Sequence, residues 1–217
     1  MTKLLRKSNF IWLTSSLAAM MFLRALTDEI PGVYTFYIIE YVNILLFLVA
    51  LESLRGERSW YRSLVAVIVV LLLIAVVQHT TKLKHLDIAS LILSISFFIL
   101  VMHVVGRQVL MTGSVNVHKI VGAIALYLLL GLIWAAWYGI VLQFSPGAIK
   151  GIEYVNWQES AADITYFSFV TLTSLGYGDM SPVTPIAKVV VILEAITGIL
   201  FLAIVVASLV GAMRRND

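Results

Sequence analysis

The sequence predicts an all-α membrane protein: six transmembrane helices, one short re-entrant helix and an extended loop behind it. Three observations carry that expectation. Of 217 residues, 61% are hydrophobic and only 12% charged, whereas soluble domains run at roughly 45–50% apolar. Six stretches are apolar over about the ~20 residues a helix needs to cross a bilayer. A seventh apolar stretch is too short to cross and is followed by a glycine-rich segment.

The first expected span is Phe10–Leu26. Basic residues precede it, as in a signal peptide, but the apolar run continues to Leu26 and further helices follow at once, so a retained helix is expected. The second, Gly32–Leu51, begins after the turn signal Thr27-Asp28-Glu29-Ile30-Pro31. The third, Leu64–His79, is short but almost purely Val, Leu and Ile; the fourth is Asp87–Arg107 and the fifth Lys119–Phe144. The sixth, Pro182–Met213, follows a long connection. In that connection the apolar and aromatic run 161–173 has the length of a re-entrant helix, with Ser160 and Asp163 in capping-box spacing at its start. The expected division is 1–115 as a four-helix region and 116–217 as a second unit, with its short helix at 160–173.

With the N-terminus inside, the inner side holds ten basic residues (Lys3, Arg6, Lys7, Arg55, Arg58, Arg62, Arg107, Lys119, Arg214, Arg215) and the outer side five (Arg24, Lys82, Lys84, Lys150, Lys188). Basic residues favour the cytoplasmic side, so a multi-pass cell-membrane protein with both termini cytoplasmic is expected. The chain has no cysteine, which excludes disulfides and thiolate metal sites. No His-Cys-carboxylate cluster and no Ser-His-acid arrangement is legible, so neither a cofactor nor an enzyme is expected. No basic run is dense enough for nucleic acid.

The chemistry concentrates in Thr173-Ser174-Leu175-Gly176-Tyr177-Gly178-Asp179. Non-helical backbone at membrane depth is tolerated only inside protein or along a water-filled cavity. Glycine reaches backbone angles closed to other residues. Alternating such residues with ordinary ones can aim successive carbonyls in one direction. Over 119–213, this pattern of helix, short helix, G-Y-G-D and helix resembles the potassium channel superfamily, specifically a small bacterial-type six-helix channel with one pore domain.

The resemblance implies a tetrameric channel. Residues 173–179 would form its selectivity filter, with K+ as the permeant ion held by the carbonyls of Ser174, Leu175, Gly176 and Tyr177 and by the Ser174 hydroxyl. Where the family pattern has Thr and Val, this chain has Ser174 and Leu175; the leucine is expected to pack behind the filter. Two tryptophans that often tether the filter are replaced by Tyr166 and Phe167, of which only Tyr166 can hydrogen-bond, to Asp179. Gly198 matches either a bending point or a close packing contact. Ile199, Leu202, Val206 and Val210 would line an apolar cavity.

Glu194 is an acid at membrane depth, functional by default. It is expected to support the filter through Thr171 or Thr173, with its carboxyl open to protonation there, or else to tie subunits together. Glu40 and Asn43 are expected to pair with Arg24 or each other. The four N-terminal helices match a voltage sensor in number only: the fourth carries Arg107 alone, and one charge yields only about 2.3 kcal/mol per 100 mV. The histidines His79, His85, His103 and His118 are read as ordinary loop residues. One filter repeat supplies a quarter of a ring, so a homotetramer in contact with membrane lipids is expected. No cytoplasmic ligand-binding domain is expected after the last helix; leak, lipid, tension, pH and a separate regulatory subunit are all compatible gating schemes. The alternatives are a weakly selective cation channel and a transporter or accessory subunit.

Overall fold

The computed structural model describes residues 9–29, 58–81, 85–110 and 117–213. Within them run α1 (Asn9–Glu29), α2 (Arg58–Thr81), α3 (His85–Leu110), α4 (Val117–Phe144), β1 (Ile149–Lys150), α5 (Trp157–Leu172), β2 (Ser181–Pro182) and α6 (Pro185–Met213). The expected second span at 32–51, with Glu40 and Asn43, lies outside the described residues.

Among the described residues, three helices are long and apolar enough to cross a membrane: Asp87–Val109, Val117–Phe144 and Pro185–Ser208. The apolar stretches of α1 and α2 are shorter, Phe10–Leu26 and Leu64–Ile74. Several boundaries differ from the sequence reading. Helix α1 continues through Thr27 and Asp28 to Glu29, because turn-forming residue types do not stop a helix that lacks a Gly or Pro break. Pro182 is not the start of the sixth helix: it pairs with Ile149 in a two-stranded antiparallel ladder, where Lys150 pairs with Ser181. Helix α6 starts instead at Pro185, whose missing N–H costs nothing in a first turn. Thr184 caps it, its hydroxyl accepting from the Ala187 amide at 3.3 Å. The described histidines sit in or at the edge of helices rather than in loops.

Helix α4 is the hub, packing against α1, α3, α5 and α6. In lipid, apolar character alone does not decide which helices associate; small residues that permit close approach do. Helix α4 buries Gly122, Ala123, Ala125, Gly131, Ala135, Ala136 and Gly139. At Gly131 an added Cβ would stand 2.5 Å from the Phe169 ring of α5, and at Gly139 one would stand 2.8 Å from the Trp157 indole. Missing side chains on α4 are therefore the sockets for the aromatic side chains of α5. One core layer joins α1, α2, α3 and α4 through Leu13, Leu64, Leu91, Val101 and Leu129. A second lies where α4, α5 and the strand pair meet, around Tyr138, Leu142, Ile149, Ile164 and Phe167.

Candidate functional site

Helix α5 begins three residues earlier than expected. Asn156 is its N-cap, in extended backbone, and its side-chain oxygen accepts from the Glu159 amide at 2.9 Å. The Asn156 side-chain amide donates back to the Glu159 carboxylate at 2.6 Å. Ser160 and Asp163 are therefore not the capping pair: Ser160 is buried inside the first turn, where its hydroxyl accepts from the Val155 amide at 3.3 Å. Asn156 and Glu159 show the same three-residue spacing, and asparagine caps at least as well as serine. In the loop before α5, burial pushes the Tyr154 phenol up to about 12, and the Asp87 carboxylate adds to the shift. It stays a neutral donor, bonded to the side-chain oxygen of Gln143.

The other end of α5 shows how the glycine-rich segment starts. The Ser174 amide donates to the Thr171 carbonyl at 2.9 Å and the Leu175 amide to the Val170 carbonyl at 3.0 Å. These are the two bonds of a Schellman cap, with Ser174 in the left-handed position that glycine usually takes. Ser174 has φ +57°, an angle that costs an L-residue on the order of 1 kcal/mol. The Phe169 carbonyl accepts from the Thr173 hydroxyl at 2.6 Å. The Leu172 carbonyl accepts from the Tyr127 phenol of α4 at 3.2 Å. The carbonyls of Val170, Thr171 and Leu172, which an isolated helix leaves unsatisfied, are thus all bonded.

Beyond Ser174, Gly176 has φ +58° and Gly178 φ +83°. Positive φ therefore falls on every second residue, 174, 176 and 178, with Leu175 and Tyr177 between them. Residues 173–179 are all exposed in the single chain. Leu175, expected to pack behind the segment, is 55% exposed. With Tyr177, Tyr166, Phe169 and Arg24 it lines a cavity of about 490 Å³ between α1 and α5.

The outer end of the segment is held at two points. The Tyr166 phenol donates to the Asp179 carboxylate at 2.8 Å. Gly151, at φ +90°, lies against the Asp179 carbonyl so closely that a Cβ would approach it to 2.7 Å. The Val183 amide donates to the Ala148 carbonyl at 2.8 Å, which carries the strand pairing on toward α6. Phe167 makes no polar contact; it is buried with its ring edge-on to Tyr138, centroids 4.9 Å apart.

Glu194 is fully buried, but its partners are not those expected. The Thr173 hydroxyl is taken by the Phe169 carbonyl, and the Thr171 hydroxyl lies against Tyr138 rather than Glu194. Glu194 instead meets the Ser168 hydroxyl at 2.6 Å and the Tyr138 phenol. Sequence reasoning missed both partners, 26 and 56 residues away in the chain. The only local signal was that each is a hydroxyl on an otherwise apolar face. Just below, the Trp134 indole donates to Thr197 at 3.0 Å, and Thr197 donates to the Glu194 carbonyl at 2.8 Å.

Gly198 is buried against the end of α5, where an added Cβ would collide with the Leu172 carbonyl oxygen. Helix α6 passes through it without a break. That geometry accounts for the glycine by close packing. Ile199, Leu202 and Val206 are exposed in the single chain; the Val210 side chain lies outside the described residues. Among the described residues no cluster of His, Cys, Asp or Glu could hold a metal ion.

No curated protein and no solved structure matches this chain. Residues 124–215, from within α4 to beyond the end of α6, match the family model described as an ion channel. With the apolar helices, this match supports a membrane-embedded, non-enzymatic ion channel.

Proposed function

We propose that the chain is one subunit of a homotetrameric potassium channel that conducts K+ passively and without steep voltage gating. The observation that carries this reading is the alternation of positive φ at Ser174, Gly176 and Gly178. Backbone that alternates in handedness turns successive carbonyls toward the same side. Four such strands around an axis form stacked rings of oxygen, which replace the water a potassium ion sheds. In this reading the carbonyls of Ser174, Leu175, Gly176 and Tyr177 hold the ion, with the Ser174 hydroxyl as the innermost ring.

Two further features support it. The segment is exposed, so it is available to other copies, and most of the apolar surface of α6 is uncovered by its own chain. In the assembled channel, α4 and α6 are the outer and inner helices of the pore unit at 116–217. Six helices span the cell membrane, both termini are cytoplasmic, and Ile199, Leu202, Val206 and Val210 line the cavity. Residues 1–115 act as a scaffold in contact with lipid. Helix α3 has only Arg107 near its C-terminal end, too little charge to drive a voltage switch.

A second reading, a weakly selective cation channel, is favoured by one observation: of the neighbouring α5 residues Tyr166 and Phe167, Tyr166 hydrogen-bonds Asp179 whereas Phe167 is turned into the core against Tyr138. A loosely held ring discriminates less between ions. One experiment separates the readings. Purified protein in liposomes is expected to pass K+ far faster than Na+ and to be blocked by barium. Equal K+ and Na+ fluxes favour the second reading; no flux of either ion, or a monomeric particle, rejects both.

A further inference from the structure

The buried carboxyl of Glu194 sits where α4, α5 and α6 meet, and its hydrogen bonds can be counted proton by proton. Glu194, Tyr138 and Ser168 are all fully buried. The Ser168 oxygen stands 2.6 Å from one Glu194 oxygen and 2.8 Å from the Gly131 carbonyl oxygen. The Tyr138 phenol bonds the other Glu194 oxygen.

Three short polar contacts need three protons. Tyr138 and Ser168 supply one each, and the Thr171 hydroxyl brings its own proton to its separate contact with Tyr138. The Gly131 carbonyl and an ionised Glu194 could both only accept, and one Ser168 proton cannot serve both contacts. With an ionised Glu194, one of the two would therefore be lone pair to lone pair. A protonated Glu194 supplies the missing donor: Oε1–H bonds Ser168, Ser168 bonds Gly131, and Oε2 accepts from Tyr138.

The surroundings agree. The ionisable groups that face the carboxyl are Tyr138 and Tyr127, both on α4. From α5 it meets Ser168, and no cation acts on it among the described residues. An isolated buried carboxylate is too costly to persist without a positive partner.

We propose that Glu194 is a neutral positioning acid: a protonated carboxyl that bridges α6 to α5 and α4 at once and so sets the seat of α5, from whose end residues 173–179 emerge. It acts on that segment only through α5. Its functional consequence rests on reading the segment as an ion path, whereas its protonation does not.

The conservative variant is decisive, because Glu194→Gln reproduces the neutral acid: one acceptor for Tyr138 and one donor for Ser168. Infrared difference spectra of purified wild-type and E194Q protein at neutral pH are expected to show loss of one protonated-carboxyl stretch. E194Q is expected to melt near the wild-type temperature. E194A, which leaves Ser168 and Tyr138 partly unsatisfied, is expected to lose about tenfold or more in the folded-to-unfolded ratio. In liposomes, E194Q should retain ion flux and E194A lose it. The proposal is overturned if no protonated-carboxyl signal disappears in E194Q, or if E194Q is destabilised as much as E194A. Because the spectra and melting do not depend on conduction, a protein that passes no ions would refute the channel reading and leave this one to be judged by them.

Discussion

Helices α4 and α6 both carry long, strongly apolar spans, yet 56% of the α4 span is buried inside the chain and only 17% of the α6 span. Hydrophobicity does not explain the difference, since lipid tails are as apolar as leucine. Side-chain size does. Helix α4 presents glycines and alanines that admit Phe169 and Trp157 from α5. On α6 the buried positions Ala187, Glu194, Gly198 and Val205 form one narrow stripe, and large aliphatic residues such as Ile192, Ile196 and Leu200 stand exposed around it. A membrane helix is thus central when small residues let neighbours approach. One whose bulky apolar surface is left open is completed by lipid, by a cavity, or by further copies of the chain.

The largest effect is expected at Gly198, on the narrow stripe. Gly198→Val drives a side chain into the Leu172 carbonyl, which as backbone cannot rotate away. We expect a cost of ~3 kcal/mol, at the upper end for overpacking, and loss of ion flux, read by thermal melting and liposome assay. Flux equal to wild type would show that α6 bends freely away from α5 there.

The corresponding test on α4 is milder. Gly131→Leu overpacks the Phe169 ring, a side chain that can yield, so about 1–2 kcal/mol is expected. The double variant Gly131→Leu with Phe169→Ala should recover much of it, because the two residues share one space. Additive losses would mean that the socket is not what seats α5.

The open surface of α6 is probed by Ile196→Ala. If copies of the chain cover that surface, the variant should weaken the oligomer by ~1 kcal/mol per subunit, below the ~2–5 kcal/mol of a fully enclosed site. Native mass measurements in detergent over a dilution series would read the shift. An unchanged oligomer would assign the residue to lipid or to a water-filled cavity.

The smallest effect is expected at the rim. Tyr166→Phe removes the bond to Asp179 while the exposed ring stays in place. Folding should be unaffected, and ionic current should decay faster during sustained opening. Unchanged decay would show that the strand pair and the close approach of Gly151 hold the outer end without help from Tyr166.

Much of this organisation is written locally. The apolar runs that became α3, α4 and α6, and the glycine spacing at 176 and 178, are visible in any window of a few residues. Bilayer length and the φ preference of glycine act on short stretches of chain. The cap of α5 was legible too, in Asn156 and Glu159, but the same spacing at Ser160 and Asp163 competed with it. Only the fold shows which of the two begins the helix. The Schellman cap that places Ser174 at positive φ carried no such signal, because serine is not the residue usually found there.

The sequence alone determined that the chain is built of apolar helices around one short helix and a segment with alternating glycines. Tertiary structure decided which helix lies at the centre, that Ser168 and Tyr138 hold Glu194, and that Gly198 lies against the end of α5. The reason is range: helix length and backbone preference are settled by neighbours in sequence. The partners of a buried acid and the fit of a glycine against a carbonyl depend on residues dozens of positions away, brought together only when the helices pack.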